Sequence, residues 1–121
     1  TSLMESFGKA VWVDESNMDA VTALSGSGPA YVLLFLESLT RAGINSGLAP
    51  DIAQTLALEM THGTIHLASK SPETFEKLRH NVTSKGGTTE AALNILMSEN
   101  GIEKLLDDAV KAAIKRAGEL A

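Results

Sequence analysis

The residues best placed to do chemistry lie between 80 and 96, in the stretch HNVTSKGGTTEAALNIL. An apolar run ends at Val82. Thr83, Ser84, Lys85, Gly86, Gly87, Thr88 and Thr89 follow, and a helical pattern then starts with Glu90. The first turn of a helix carries unpaired backbone N–H groups and a partial positive charge. Gly86 and Gly87 clear side chains from in front of that turn, so a small anion can reach the N–H groups. Ser84, Thr88 and Thr89 add hydroxyls that donate or accept, and Lys85 adds a positive charge. Together they suit a carboxylate or a phosphate. A plainer reading fits the same spacing: Gly-Gly makes a tight turn, and Thr88 or Thr89 caps the helix. Glu90 favours this second reading, because an acid in the first turn satisfies the helix dipole and competes with a bound anion. Spacing alone leaves both open. The pattern is no P-loop, since the lysine precedes the glycines and no Gly-Lys-Ser/Thr is present.

Other constellations carry less. SGSGP, residues 25–29, matches neither a dinucleotide fingerprint nor a nucleophile elbow. It reads as a helix break that leaves room for close backbone contact, or as backbone lining a ligand pocket. Glu59, His62 and His66 share one helix face at a spacing that can hold a metal, but no fourth ligand is evident. Metal binding is therefore not expected. Asp107, Asp108, Lys111 and Lys115 read as a solvated outer face with i, i+4 pairs. No histidine has the setting of a catalytic base.

These residues need elements to hold them. Residues 1–8, TSLMESFG, read as a helix end stopped by Gly8. KAVWVD, residues 9–14, reads as a short strand. A lone strand has no stable partner, so the chain is expected to be part of a longer protein. From Ser16 onward the signals are helical. Ser16 or Asn17 caps a short helix, 18–24. Pro29 opens a second helix, 29–43, whose Tyr31, Val32, Leu33, Leu34, Phe35 and Leu36 cover every face. A helix apolar all round must be surrounded. A domain this small can hardly do that alone, so a partner chain is expected. Pro50 opens the next helix, 50–70, with small residues recurring on its inner face. Ser71 and Pro72 start a short helix to His80, another runs from Thr89 to Ser98, and the last spans 102–120 as an amphipathic stripe.

Composition sets the outer limits. A chain of 121 residues with net charge −5 is about one domain. The mild acidity argues against a nucleic-acid surface. The absence of cysteine excludes a disulfide framework and fits a reducing compartment. Residues 1–10 lack the pattern of a signal peptide. AYVLLFL, residues 30–36, is far short of the roughly 18 apolar residues that cross a membrane.

Two motifs at the right separation carry a resemblance. AVTALSGSGPAYV, residues 20–32, and NVTSKGGTTEAAL, residues 81–93, resemble pyrroline-5-carboxylate reductase, as do the GLAP turn and the final AVKAAIKRAGEL. The resemblance implies the carboxy-terminal domain of that enzyme. It would be all-α, a helical bundle like the carboxy-terminal domain of 6-phosphogluconate dehydrogenase, and would form a homodimer, or a higher oligomer, by interleaving helices. Residues 1–15 would be the tail of a Rossmann domain and its linker, and 16–121 the dimerisation and substrate-loop domain. The implied reaction is reduction of 1-pyrroline-5-carboxylate to proline in the cytoplasm, with NADPH or NADH bound mainly by the Rossmann domain. Asn81, Ser84, Gly86, Gly87, Thr88 and Thr89 would hold the substrate carboxylate, with Thr89 positioning the ring nitrogen. This chain alone would then be inactive. Lys85, His80 and Glu90 depart from the residues common in the family. A related imine or hydroxy-acid dehydrogenase and a non-catalytic dimerisation module are the alternatives.

Overall fold

The structure is a computed structural model. It describes the backbone of residues 2–6 and 9–10 and all of residues 11–121. The proposed stop at Gly8 lies outside the described residues. The chain divides into two compact units, one made of residues 1–32 and 99–121, the other of residues 33–98.

The first unit begins with a correction. Residues Ser2–Ser6 form a strand, β1, and not a helix end. It pairs antiparallel with β2, Lys9–Val13, with Leu3 opposite Trp12 and Ser6 opposite Lys9. A helix of so few residues lacks the length to stand alone. Pairing with the β-branched and aromatic residues of β2 satisfies backbone groups that a lone strand leaves open. The expected strand is present, and it does have a partner.

After a 3₁₀ turn at Glu15–Asn17 comes α1, Met18–Val21, which runs into a π-turn at Thr22–Gly26. The SGSGP stretch interrupts the α-helical ladder, with the π-turn and a bend at Ser27, without turning the chain out of its helical path. The chain stays helical from Glu15 to Asn45, a stretch long and apolar enough by length and composition to cross a membrane. The π-turn absorbs one extra residue in the ladder. The Ser27 N–H bonds Thr22 O at 2.9 Å, the Ser25 hydroxyl bonds Val21 O, and the Tyr31 hydroxyl donates to Ala23 O at 2.8 Å. Ala23 is buried. α6, Ile102–Leu120, packs against α1 and the π-turn. Its Val110, Ala113, Ile114 and Ala117 are half-buried, as the stripe predicts. On the outer face Lys111 pairs with Asp107 at 2.7 Å and Lys104 with Asp108 at 3.0 Å. The Asp107 hydrogen bond, helped by its charge, raises the Lys111 pKa.

α2, Gly28–Asn45, carries the apolar run. The second unit contains its residues from 33 onward, with α3, Pro50–Lys70, α4, Phe75–Asn81, and α5, Thr88–Leu96. α3 has the bounds read from sequence. Its seam is made of alanines: Ala53 and Ala57 are buried. A Cβ added at Gly43 would come 3.2 Å from Ala53 Cβ and 3.4 Å from Leu48 Cδ1, so glycine and alanine set the close approach of α2 and α3. α4 starts later than expected. Thr74, not Ser71, is the cap, its Oγ1 accepting from Lys77 N–H at 3.1 Å. Ser71 instead accepts from Glu73 N–H in a local turn. It precedes Pro72, which disfavours helical backbone there and ends α3 at Lys70.

Large apolar side chains stay outside this framework. Ala23, Ala53 and Ala57 are the buried apolar residues among those described. Leu33 is 65% exposed, Phe35 44% and Ile65 62%. Two apolar grooves flank the α2–α3 seam, of about 370 and 390 Å³, sharing Ala57 as a wall.

Because the seam admits nothing larger, Ala53→Leu is expected to lower unfolding free energy by about 1–3 kcal/mol, as overpacking does. Chemical denaturation reads this, and an unchanged midpoint would show that the seam has slack.

Candidate functional site

α4 and α5 bring the candidate residues to one connection. Asn81 is the last residue of α4. The α4 end is closed by Thr83, whose hydroxyl donates to Arg79 O at 2.6 Å and whose N–H donates to His80 O at 3.1 Å. Ser84 and Gly87 then close a turn, the Gly87 N–H reaching Ser84 O at 3.1 Å. Gly86 sits at φ 76°, a left-handed conformation that costs glycine little and other residues more. Gly87 serves at close quarters: a Cβ there would lie 3.3 Å from Ser84 O.

Gly87 is also the N-cap of α5, and no side chain caps the helix. The plain alternative, in which the Thr88 or Thr89 hydroxyl caps α5, is therefore corrected. Both threonines are exposed residues of the first helical turn, and neither hydroxyl has a hydrogen-bond partner among the described residues. Ala91 is the first residue of α5 whose N–H finds a backbone acceptor, Gly87 O at 3.2 Å. The N–H groups of Thr88, Thr89 and Glu90 thus face out of the helix end, as the first three of any helix do. One acid already serves this region: Glu90 Oε1 accepts from the Gly86 N–H at 3.2 Å.

Beside the loop is an open cleft of about 420 Å³, lined by Arg79, Thr83, Lys85, Glu90 and Asn94 among others. Arg79 was not singled out from the sequence. Its signal is its place as a basic residue in the last turn of α4. Neither Arg79 nor Lys85 has an ion-pair partner among the described residues. His80, by contrast, lies 3.9 Å from Glu76. No group of three or more His, Asp or Glu comes together among the described residues, and Glu59, His62 and His66 do not converge. Around SGSGP, a Cβ at Gly28 would meet nothing within 4 Å and one at Gly26 would meet Thr22 Cγ2 at an ordinary 3.6 Å, so neither glycine is needed for a close approach among the described residues.

The fold is that of a helical domain found in reductases. The structure of a pyrroline-5-carboxylate reductase from Coxiella burnetii matches with a TM-score of 0.85 at 38% identity, over 91% of this chain and 40% of that one. Plasmodium falciparum pyrroline carboxylate reductase, solved with NADP bound, matches with a TM-score of 0.81 at 38% identity, over 86% of this chain and 42% of that one. Residues 15–120 match the family described as pyrroline-5-carboxylate reductase dimerisation, and the chain belongs to that family. A pyrroline-5-carboxylate reductase of Pseudomonas aeruginosa is 43% identical over 98% of this chain and 44% of its own length. One from Pisum sativum is 41% identical over 99% of this chain and 44% of its own. The chain spans less than half the length of these relatives.

Since Gly86 alone in the loop holds a positive φ, Gly86→Ala is expected to lower unfolding free energy by about 1 kcal/mol or more. Thermal or chemical denaturation checks this, and wild-type stability would show that the loop reaches its turn another way.

Proposed function

We propose that this chain forms the dimer core and the substrate-carboxylate loop of a pyrroline-5-carboxylate reductase, a cytoplasmic oxidoreductase that makes proline from 1-pyrroline-5-carboxylate. The observation that carries the reading is the entrance to α5. Three outward N–H groups, those of Thr88, Thr89 and Glu90, stand behind two glycines, with threonine hydroxyls beside them. A carboxylate is the right size and charge for that place. Family membership and the names of the relatives support the choice of substrate.

The reaction turns a C=N bond into CH–NH, so it needs a hydride at carbon and a proton at nitrogen. A nicotinamide dinucleotide, NADPH or NADH, supplies the hydride when bound. The relatives are more than twice as long as this chain, and on this reading the dinucleotide site belongs to the part that it does not span. The neighbour solved with NADP supports this choice of cofactor. Residues 1–15 link the two parts. Here the task is positioning. Asn81, Ser84, Gly86, Gly87, Thr88 and Thr89 form the loop that fixes the ring by its carboxylate, and the Thr89 hydroxyl orients the ring nitrogen. A neutral hydroxyl is a poor acid, so the proton comes from water. Holding the imine in register for hydride transfer is most of the catalysis.

A second copy of the chain, interleaved with the first, covers the grooves beside Ala57 and the exposed face of α2. Cover of Val32, Leu33, Leu34 and Phe35, which are 44–65% exposed, is worth about 3–6 kcal/mol. It gives the apolar stretch from Glu15 to Asn45 a protein environment in place of a membrane. The net charge of −5 argues against a nucleic-acid surface. The Glu90–Gly86 bond favours one other reading, a helical module whose loop is only a cap.

Titration with proline, followed by amide chemical shifts, separates the two. Shifts confined to Gly86 through Glu90 are expected, with none from prolinamide, which lacks the carboxylate. Silence with proline at tens of millimolar would leave the cap alone.

A further inference from the structure

We infer that Glu90 is a displaceable internal carboxylate: it holds the Gly86 N–H while the loop is empty and yields that group to the carboxylate of an incoming ligand. The inference rests on the carboxylate-loop reading above and adds a specificity device to it. Glu90 Oε1 accepts from Gly86 N–H at 3.2 Å, which puts a negative oxygen at the mouth of the loop. A ligand carboxylate that approaches the same backbone meets both competition for a donor and like-charge repulsion.

The cleft beside the loop gives the displaced side chain somewhere to go. Glu90 lines it together with Arg79 and Lys85, two cations without an ion-pair partner among the described residues. The side chain thus has two favourable positions. On Gly86 it makes one hydrogen bond; in the cleft it shares a wall with two cations. A ligand without a full negative charge cannot replace the first position, because it gains too little from the helix end to evict a carboxylate. Glu90 therefore raises the threshold for binding and favours carboxylates over neutral ring compounds. It touches no reacting atom and is a positioning residue.

The test uses the 121-residue chain, wild type and as Glu90→Gln and Glu90→Ala, titrated with proline and with prolinamide by amide chemical shifts. The expected result is that both variants bind proline about two- to fivefold more tightly, the size of a single exposed charge at a helix start. In both variants the Gly86 amide proton moves before any ligand is added. Proline is also expected to move that proton in wild type. The preference for proline over prolinamide narrows in the variants. A merely structural Glu90 would have the opposite effect, since loss of an acid from the first turn loosens α5 and weakens binding. Equal or weaker proline binding in both variants, with unchanged amide spectra elsewhere, overturns the inference and leaves the carboxylate loop standing. No response to proline in any of the three chains overturns the loop and Glu90's role together.

Discussion

Apolar surface without cover is the constraint on which the rest depends. In α2 the residues Val32, Leu33, Leu34 and Phe35 follow one another, and successive residues of a helix point about 100° apart. No single packing partner can shade them all. The second unit can bring α3 close only along a line of small residues, Gly43, Ala53 and Ala57. That line gives intimate backbone approach and almost no apolar volume. Larger side chains on either side of it therefore wall open grooves. A second copy offers an apolar surface of the same kind to cover them, as homodimers do.

The same economy governs the loop. A helix start is a ready-made place for negative charge, and the chain uses glycines to leave it open. It then sets Glu90 against the opening. The contact with Gly86 closes the loop on itself. On the proposed reading a bound carboxylate would compete with Glu90 for that N–H, and the cleft that Glu90 lines with Arg79 and Lys85 would receive the displaced side chain.

Much of the fold was legible because its signals are local. Proline at the first position of α3 and the apolar stripe of α6 fix both helices to the bounds read from sequence. The turn at residues 84–87 and the helix start after it were legible for the same reason, since two glycines ahead of a helical pattern mark a tight turn. What escaped depends on choices between near neighbours. Ser71 and Thr74 are both able caps, and the decision turns on Pro72 and on which hydroxyl meets a free N–H. The π-turn at Thr22–Gly26 holds a carbonyl bonded by the Tyr31 hydroxyl eight residues away, a contact no short-range pattern shows. β1 was misread because Ser2–Ser6 has no clear period of its own and takes its form from β2. Arg79 went unnoticed because a basic residue at a helix end is ordinary until a second cation lines the same cleft.

Sedimentation equilibrium across nanomolar to micromolar concentration tests the central claim most directly. The account predicts a mass of twice 12.7 kDa or a multiple of it, with folding and association lost together on dilution or in denaturant. A folded, stable species of single-chain mass throughout that range would contradict it, because the apolar face of α2 would then rest in water.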